Sequence, residues 1–197
     1  MRNISALGAP VNCSRFGYDE PVSEVLVTPR LRLEPLTLPV VEAVFAGDRA
    51  ALEALAGALV PEAWPGKALV ERAFSASLDS IRADPRRRLW GDRLMIAERD
   101  GARLLVGSVV FHGMPEAGVA EIGYGVEERW QCQGLATEAT RACVEWALAQ
   151  PGVEQVTATT PPWHAASVRV LEKAGLSRAG LEEHEMLGEV LRFVRRR

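Results

Sequence analysis

The stretch best suited to chemistry is Trp130-Gln-Cys-Gln-Gly-Leu-Ala-Thr-Glu138. It follows an extended apolar run, Val119 to Val126. It precedes a helical pattern in which Leu135, Ala139, Ala142, Cys143, Trp146 and Ala147 recur at spacings of three and four. The pattern is a strand, a short polar loop, and a helix whose first turn carries small residues. Gly134 and Ala136 let a ligand approach the backbone closely. The first N–H groups of a helix have no internal partner, and its dipole adds positive potential there. An anion site is therefore expected, most often one for phosphate. No Gly-Lys-Ser or Gly-Lys-Thr is present, which excludes the P-loop. Gly123-Tyr-Gly125 lies within the strand and opens no helix, which excludes the dinucleotide fingerprint.

What remains, Gln131-x-x-Gly134-x-Ala136, resembles the Gln/Arg-x-x-Gly-x-Gly/Ala loop of the GNAT family of N-acetyltransferases, where backbone amides grip the pyrophosphate of coenzyme A. Its context agrees. Ala120-Glu-Ile-Gly-Tyr124 comes before it and Ala136-Thr-Glu-Ala139 after it. His164-Ala-Ala-Ser167, running on through Glu172-Lys173 and Gly175-Leu176, resembles the family's Asn-x-x-Ser…Glu-Lys-x-Gly-Phe helix. Together these motifs look like the branch that includes ribosomal-protein N-terminal acetyltransferases, and the resemblance runs from about Thr28 to the C-terminus.

The resemblance implies an α/β (α+β) fold with a mixed, mostly antiparallel sheet, helices on both faces, and a splayed cofactor cleft. It implies acetyl-CoA as co-substrate. Gln131, Cys132, Gln133, Gly134, Leu135, Ala136 and Thr137 would hold the pyrophosphate. Gly125 and Val126 would pair with the pantetheine arm, and an N–H near them would face the oxyanion. His164 stands where the family's asparagine touches that arm; the alternative is a surface histidine near a helix start. Arg129, Arg141 and Lys173 are candidates for the 3′-phosphate or simply solvated charges.

Amide formation from a thioester needs a neutral amine, which a general base supplies. Glu121 occupies the place where several relatives carry a glutamate base, and burial is expected to raise its pKa. The competing reading is a strand carboxylate facing solvent or pairing with an arginine. Many relatives protonate the leaving thiolate with a tyrosine on the later helix. Tyr18 and Tyr124 do not lie there, so Ser167 is the substitute candidate; the alternative is a serine bonded to its own helix backbone. The expected reaction is direct attack of a primary amine on acetyl-CoA in a ternary complex. The acceptor is a protein N-terminus or a small amine. The competing class is a catalytically idle acyl-CoA sensor, suggested by the missing tyrosine and by His164. A scaffold without a ligand is a third class.

These residues need elements to position them. Alternation over Thr28 to Pro35 predicts a first strand. Short helices are expected over Pro39–Ala46 and Asp48–Leu59, the second capped by Asp48. A longer helix is expected over Lys67–Ala83, ended by Asp84-Pro85. Trp64, in the loop before it, either lines a substrate pocket or closes the core. Asp100-Gly101 between apolar runs predicts a hairpin of Asp92–Glu98 with Leu104–His112. After the cofactor helix come a strand over Gln155–Thr160, a helix over Ala165–Ala174 with Gly175 at C′, and a strand pair over Leu176–His184 and Met186–Val194. Arg195 to Arg197 reads as a solvated tail.

Residues 28–197 are expected to form one domain, preceded by an arm over 1–27 with no sustained period. Net charge is −3, which disfavours a general nucleic-acid binder. No apolar run is long enough to span a bilayer, and the start lacks a signal-like segment. Cys13, Cys132 and Cys143 match no metal site and read as reduced thiols. A cytoplasmic monomer or homodimer, with no metal, is the expectation.

Overall fold

The computed structural model describes residues 25–62, 82–185 and 187–197. The arm before Val25, Trp64, Met186 and all but the last two residues of the helix expected over Lys67–Ala83 lie outside them.

The described strands are β1 (Leu26–Val27), β2 (Leu31–Pro35), β3 (Asp92–Arg99), β4 (Ala102–Phe111), β5 (Val119–Val126), β6 (Gln155–Thr160), β7 (Ser177–His184) and β8 (Gly188–Arg196). The helices are α1 (Leu38–Ala46), α2 (Arg49–Ala56), α3 (Leu135–Ala149) and α4 (Ala165–Lys173). The strands form one sheet in the order β1-β2-β3-β4-β5-β6-β8-β7. All neighbours are antiparallel except β5 and β6. The sheet begins slightly before the expected Thr28 boundary, because Leu26 and Val27 pair with Leu33 and Arg32.

Local chemistry explains the joints. Asp48 caps α2 by accepting from Ala51 N–H at 2.9 Å. Asp100 (φ 53°) and Gly101 (φ 75°) both take left-handed conformations, as a two-residue hairpin turn requires. At the end of α4, Gly175 N–H donates to Glu172 O and Leu176 N–H to Leu171 O, the paired bonds of a Schellman cap.

Strand alternation sends two sets of side chains to two cores. Met95, Ala97, Ala120, Ile122, Val156 and Ala158 pack with Leu135, Ala139 and Cys143 of α3 and Leu171 of α4. Leu94, Ile96 and Leu105 pack on the other face with Val40 and Val41 of α1 and Leu52 of α2. Helices therefore cover both faces.

The basic C-terminus is not a solvated tail. Arg195 and Arg196 belong to β8, and the Arg197 guanidinium donates to the carbonyls of Leu148 and Gln150 at the end of α3. Those carbonyls lack intrahelical partners and carry the negative end of the dipole, so a cation docks there.

Candidate active site

The sheet opens where the chemistry was expected. β5 and β6 pair only over Val119, Ala120 and Glu121, opposite Gln155, Val156 and Thr157. From Ile122 onward β5 keeps its pairing with β4 on one side alone. The edge of β5 that faces the gap follows from the register. His112 N–H donates to Glu121 O, and Glu127 N–H to Val106 O. Antiparallel pairing alternates, so Gly123 and Gly125 direct their backbone groups to β4, while Ile122, Tyr124 and Val126 direct theirs into the gap. The gap-facing amides are thus those of Tyr124 and Val126, and Gly125 contributes openness: a Cβ there would meet nothing within 4 Å.

The loop after β5 is braced at both ends. Gln131 Nε2 donates to Val126 O at 2.9 Å, closing the loop onto the strand. Arg30 Nη1 donates to Gln133 O at 2.8 Å. Cys132 has φ 59° and Gly134 φ 79°, so the backbone turns twice through left-handed conformations before α3. The first amide with an acceptor inside the helix region is that of Glu138, bonded to Gly134 O. Among the described residues, the N–H groups of Cys132, Gln133, Gly134, Leu135, Ala136 and Thr137 have no acceptor. This row of unpaired donors beside a parted sheet fits a pyrophosphate continuing into an extended amide-bearing arm.

Glu138 lies one turn into α3. It accepts from Thr28 Oγ1 at 2.6 Å, from Arg30 N–H at 2.9 Å and from Arg30 Nε at 2.6 Å. Burial pushes its pKa up, but the bonds from Thr28 and Arg30 together outweigh that and hold it below the usual glutamate value.

Glu121 sits on the sheet face opposite α3, between buried Ala120 and Ile122. Its Oε1 lies 3.6 Å from Nδ1 of His112. The imidazole fits beside Gly123, where a Cβ would come within 3.3 Å of His112 Nε2. The expected raising of the Glu121 pKa is not found. Contact with His112 lowers it, and this outweighs the opposing effect of burial. The same contact raises the pKa of His112, against burial, with the charges of Glu121 and Asp92 adding to it. Asp92, buried beneath, is raised to about 6 by desolvation, partly countered by His112. The titratable partner of Glu121 that sequence reasoning missed is His112. Its one signal was its place in the hairpin, directly across from Glu121.

Ser167 turns toward β5. Its Oγ lies 2.9 Å from the Tyr124 hydroxyl, which also donates to Ser167 O at 3.0 Å. Tyr124 shares the α3 face of β5 with Ile122 and reaches α4 from there. Burial raises its pKa to about 12, opposed by the bond to Ser167, so it remains a donor. Tyr124 was set aside in the sequence because it is not on the later helix, yet its hydroxyl arrives at that helix. His164 is the exposed N-cap of α4, makes no capping bond, and stacks on Trp163 with ring centroids 5.6 Å apart. Cys132 is exposed, while Cys143 is buried and raised to about 12 by that burial. Arg141 donates to Lys173 O, tying α3 to α4. Among the described residues no acidic, histidine or cysteine cluster could hold a metal, and no helix is long and apolar enough to cross a membrane.

Comparisons with known proteins agree with this geometry. Residues 30–177 match the family profile described as an acetyltransferase (GNAT) domain. The uncharacterized N-acetyltransferase YjdG of Bacillus subtilis is 28% identical over 152 residues, spanning 77% of this chain and 88% of that protein. Among solved structures, the ribosomal L7/L12 α-N-protein acetyltransferase RimL, in complex with coenzyme A, superposes with a TM-score of 0.58 at 16% identity, covering 87% of this chain and 97% of that one. The aminoglycoside acetyltransferase AAC(6')-Ib, with coenzyme A and kanamycin, gives 0.55 at 20% identity, covering 84% and 94%. These structures share the fold. The profile spans most of the sequence, including the parted strands and the amide loop, and on that basis the chain belongs to the GNAT acetyltransferase family.

Proposed function

We propose that this protein transfers the acetyl group of acetyl-CoA to a primary amine by direct attack in a ternary complex. The observation that carries the reading is the parting of β5 from β6 beside the unpaired amides of residues 132–137. Acetyl-CoA is the co-substrate. The loop amides would hold its pyrophosphate, and the gap-facing edge of β5 at Tyr124 and Val126 would pair with its pantetheine arm.

Two proton-handling groups flank the gap on opposite faces of β5. His112, oriented by Glu121, takes the proton of the incoming ammonium, leaving a neutral amine whose nitrogen forms the new C–N bond. As the C–S bond breaks, the Tyr124–Ser167 hydroxyl pair supplies the proton to the departing thiolate, and the second proton shed by the new amide nitrogen passes through water to restore the pair. The amide N–H of Val126 is positioned to donate to the carbonyl oxygen as charge develops there. Glu121 thus acts through its imidazole partner, as the carboxylate does in a hydrolase triad.

The acceptor is a primary amine, and both a protein N-terminus and a small amine suit the site. RimL and the aminoglycoside enzyme illustrate those two kinds among proteins of this fold. Free Cys132 and Cys143 suit a reducing cytoplasm. The test is thiol release from acetyl-CoA across a panel of small amines and peptides with free N-termini. Turnover on any member supports the enzyme. Tight coenzyme A binding with no turnover on the whole panel would overturn it in favour of a sensor.

A further inference from the structure

We propose that Arg30 and Thr28, in the link between β1 and β2, are positioning residues that aim the amides of the pyrophosphate loop. The inference rests on the assignment of residues 131–137 as that loop. It starts from a contact between distant parts of the chain. Arg30 reaches Glu138 across 108 positions and Gln133 across 103, and Thr28 reaches Glu138 across 110.

The geometry has two halves. In the first, the Glu138 carboxylate receives three donors, from the Thr28 hydroxyl and from the main chain and Nε of Arg30. This pins the first turn of α3 to the edge of the sheet and holds the guanidinium in one orientation. In the second, Nη1 of that held guanidinium takes the Gln133 carbonyl at 2.8 Å. A trans peptide is planar, with its C=O and N–H pointing in opposite directions. Fixing the Gln133 carbonyl on Arg30 therefore fixes the Gly134 N–H to point away from Arg30, toward the outer side of the loop. Gly134 takes φ 79°, a left-handed conformation in which a side chain would be strained.

The role differs from that of a phosphate-binding cation. Glu138 neutralises the Arg30 charge at 2.6 Å. What Arg30 offers is a planar fork whose separate N–H groups bridge a carboxylate and a carbonyl, which a lysine ammonium does not reproduce. Charge alone should not replace it.

The experiment is calorimetric titration of the full chain with coenzyme A and with 3′-dephospho-coenzyme A. The variants are Arg30→Lys, Arg30→Ala and Thr28→Val, with Gly134→Val as a control, and thermal melts establish that each is folded. Amide hydrogen exchange of the ligand-free proteins gives a readout independent of binding. Arg30→Lys is expected to weaken both ligands by at least ~10-fold, close to the loss in Arg30→Ala, and Thr28→Val by less. Exchange at Glu138 and Ala139, the first bonded amides of α3, should rise in the Arg30 and Thr28 variants. Wild-type affinity in Arg30→Lys would overturn the proposal, since charge would then suffice. A loss that vanishes with the dephospho ligand would also overturn it, making Arg30 a contact for the 3′-phosphate. If Arg30→Ala does not fold, Arg30→Lys and Thr28→Val still decide. Failure of the loop assignment itself reads differently: Gly134→Val would then bind coenzyme A as the wild type does.

Discussion

In the proposed reaction the His112–Glu121 contact divides the work between two residues. An ionised carboxylate held below its ordinary pKa is a poor proton acceptor, whereas a neutral imidazole raised above its own is a better one. The acceptor form is the neutral ring, so kcat/KM should climb as pH rises through the folded pKa of His112. His112→Ala should cost about 10²–10⁴-fold in kcat. Glu121→Gln should cost less and should move the acid limb to lower pH, because the contact that raises the imidazole is gone while burial remains. A pH–rate profile of the two variants checks this; an unmoved limb in Glu121→Gln would assign the ionisation elsewhere. At the other side of the gap, Tyr124→Phe and Ser167→Ala should each lower kcat by ~10²-fold, and the double variant should be little worse than either. Multiplying losses in a double-mutant cycle would show two independent groups. Part of this site was legible in the sequence. Glu121 and Ser167 stand within recognisable motifs. Their partners do not, because the contacts with His112 and Tyr124 depend on register between β4 and β5 and on the reach of one long side chain to a helix far along the chain.

Elements were more legible than contacts. The hairpin turn, β6, the Asp48 cap and the Gly175 C-terminus followed from local chemistry that tertiary context did not override. The fate of Arg195–Arg197 was not legible, since three arginines look solvated until two helix ends present carbonyls to Arg195 and Arg197. The bulge in β4 was equally hidden. Met95 pairs with Gly107 but Ile96 with Leu105, leaving Val106 as the extra residue. Beside it, Gly107 allows the approach of β5: a Cβ there would lie 2.2 Å from Gly125 O. Nothing but backbone can yield at that point. Gly107→Ala should therefore cost about 1–3 kcal/mol in stability, measured as a lower urea midpoint. It should also weaken coenzyme A binding by displacing the strand that faces the gap. An unchanged midpoint would show that β4 and β5 can separate locally without loss.

At the scale of the molecule, the sheet divides into two blocks. β1 to β5 form one and β6 to β8 the other, joined edge to edge by the single short parallel ladder at Val119–Glu121. A bound pantetheine arm would supply hydrogen bonds to the edge the second block does not reach. Paired in that way, the co-substrate would be a missing strand, and binding it would be a late step of folding as much as an act of recognition. Linkage gives the scale: ligand at 100 times its Kd adds about 2.7 kcal/mol to global stability. The gain should not be confined to the site. Hydrogen exchange in saturating coenzyme A is expected to slow across β6 and β8 as well as β5, because the ligand welds the blocks along the margin where their own ladder has stopped. Protection limited to the loop would mean that the blocks already move as one. If the weld is real, losing the product after each turnover reopens the molecule, and its least stable moment is the interval between one coenzyme A leaving and the next arriving.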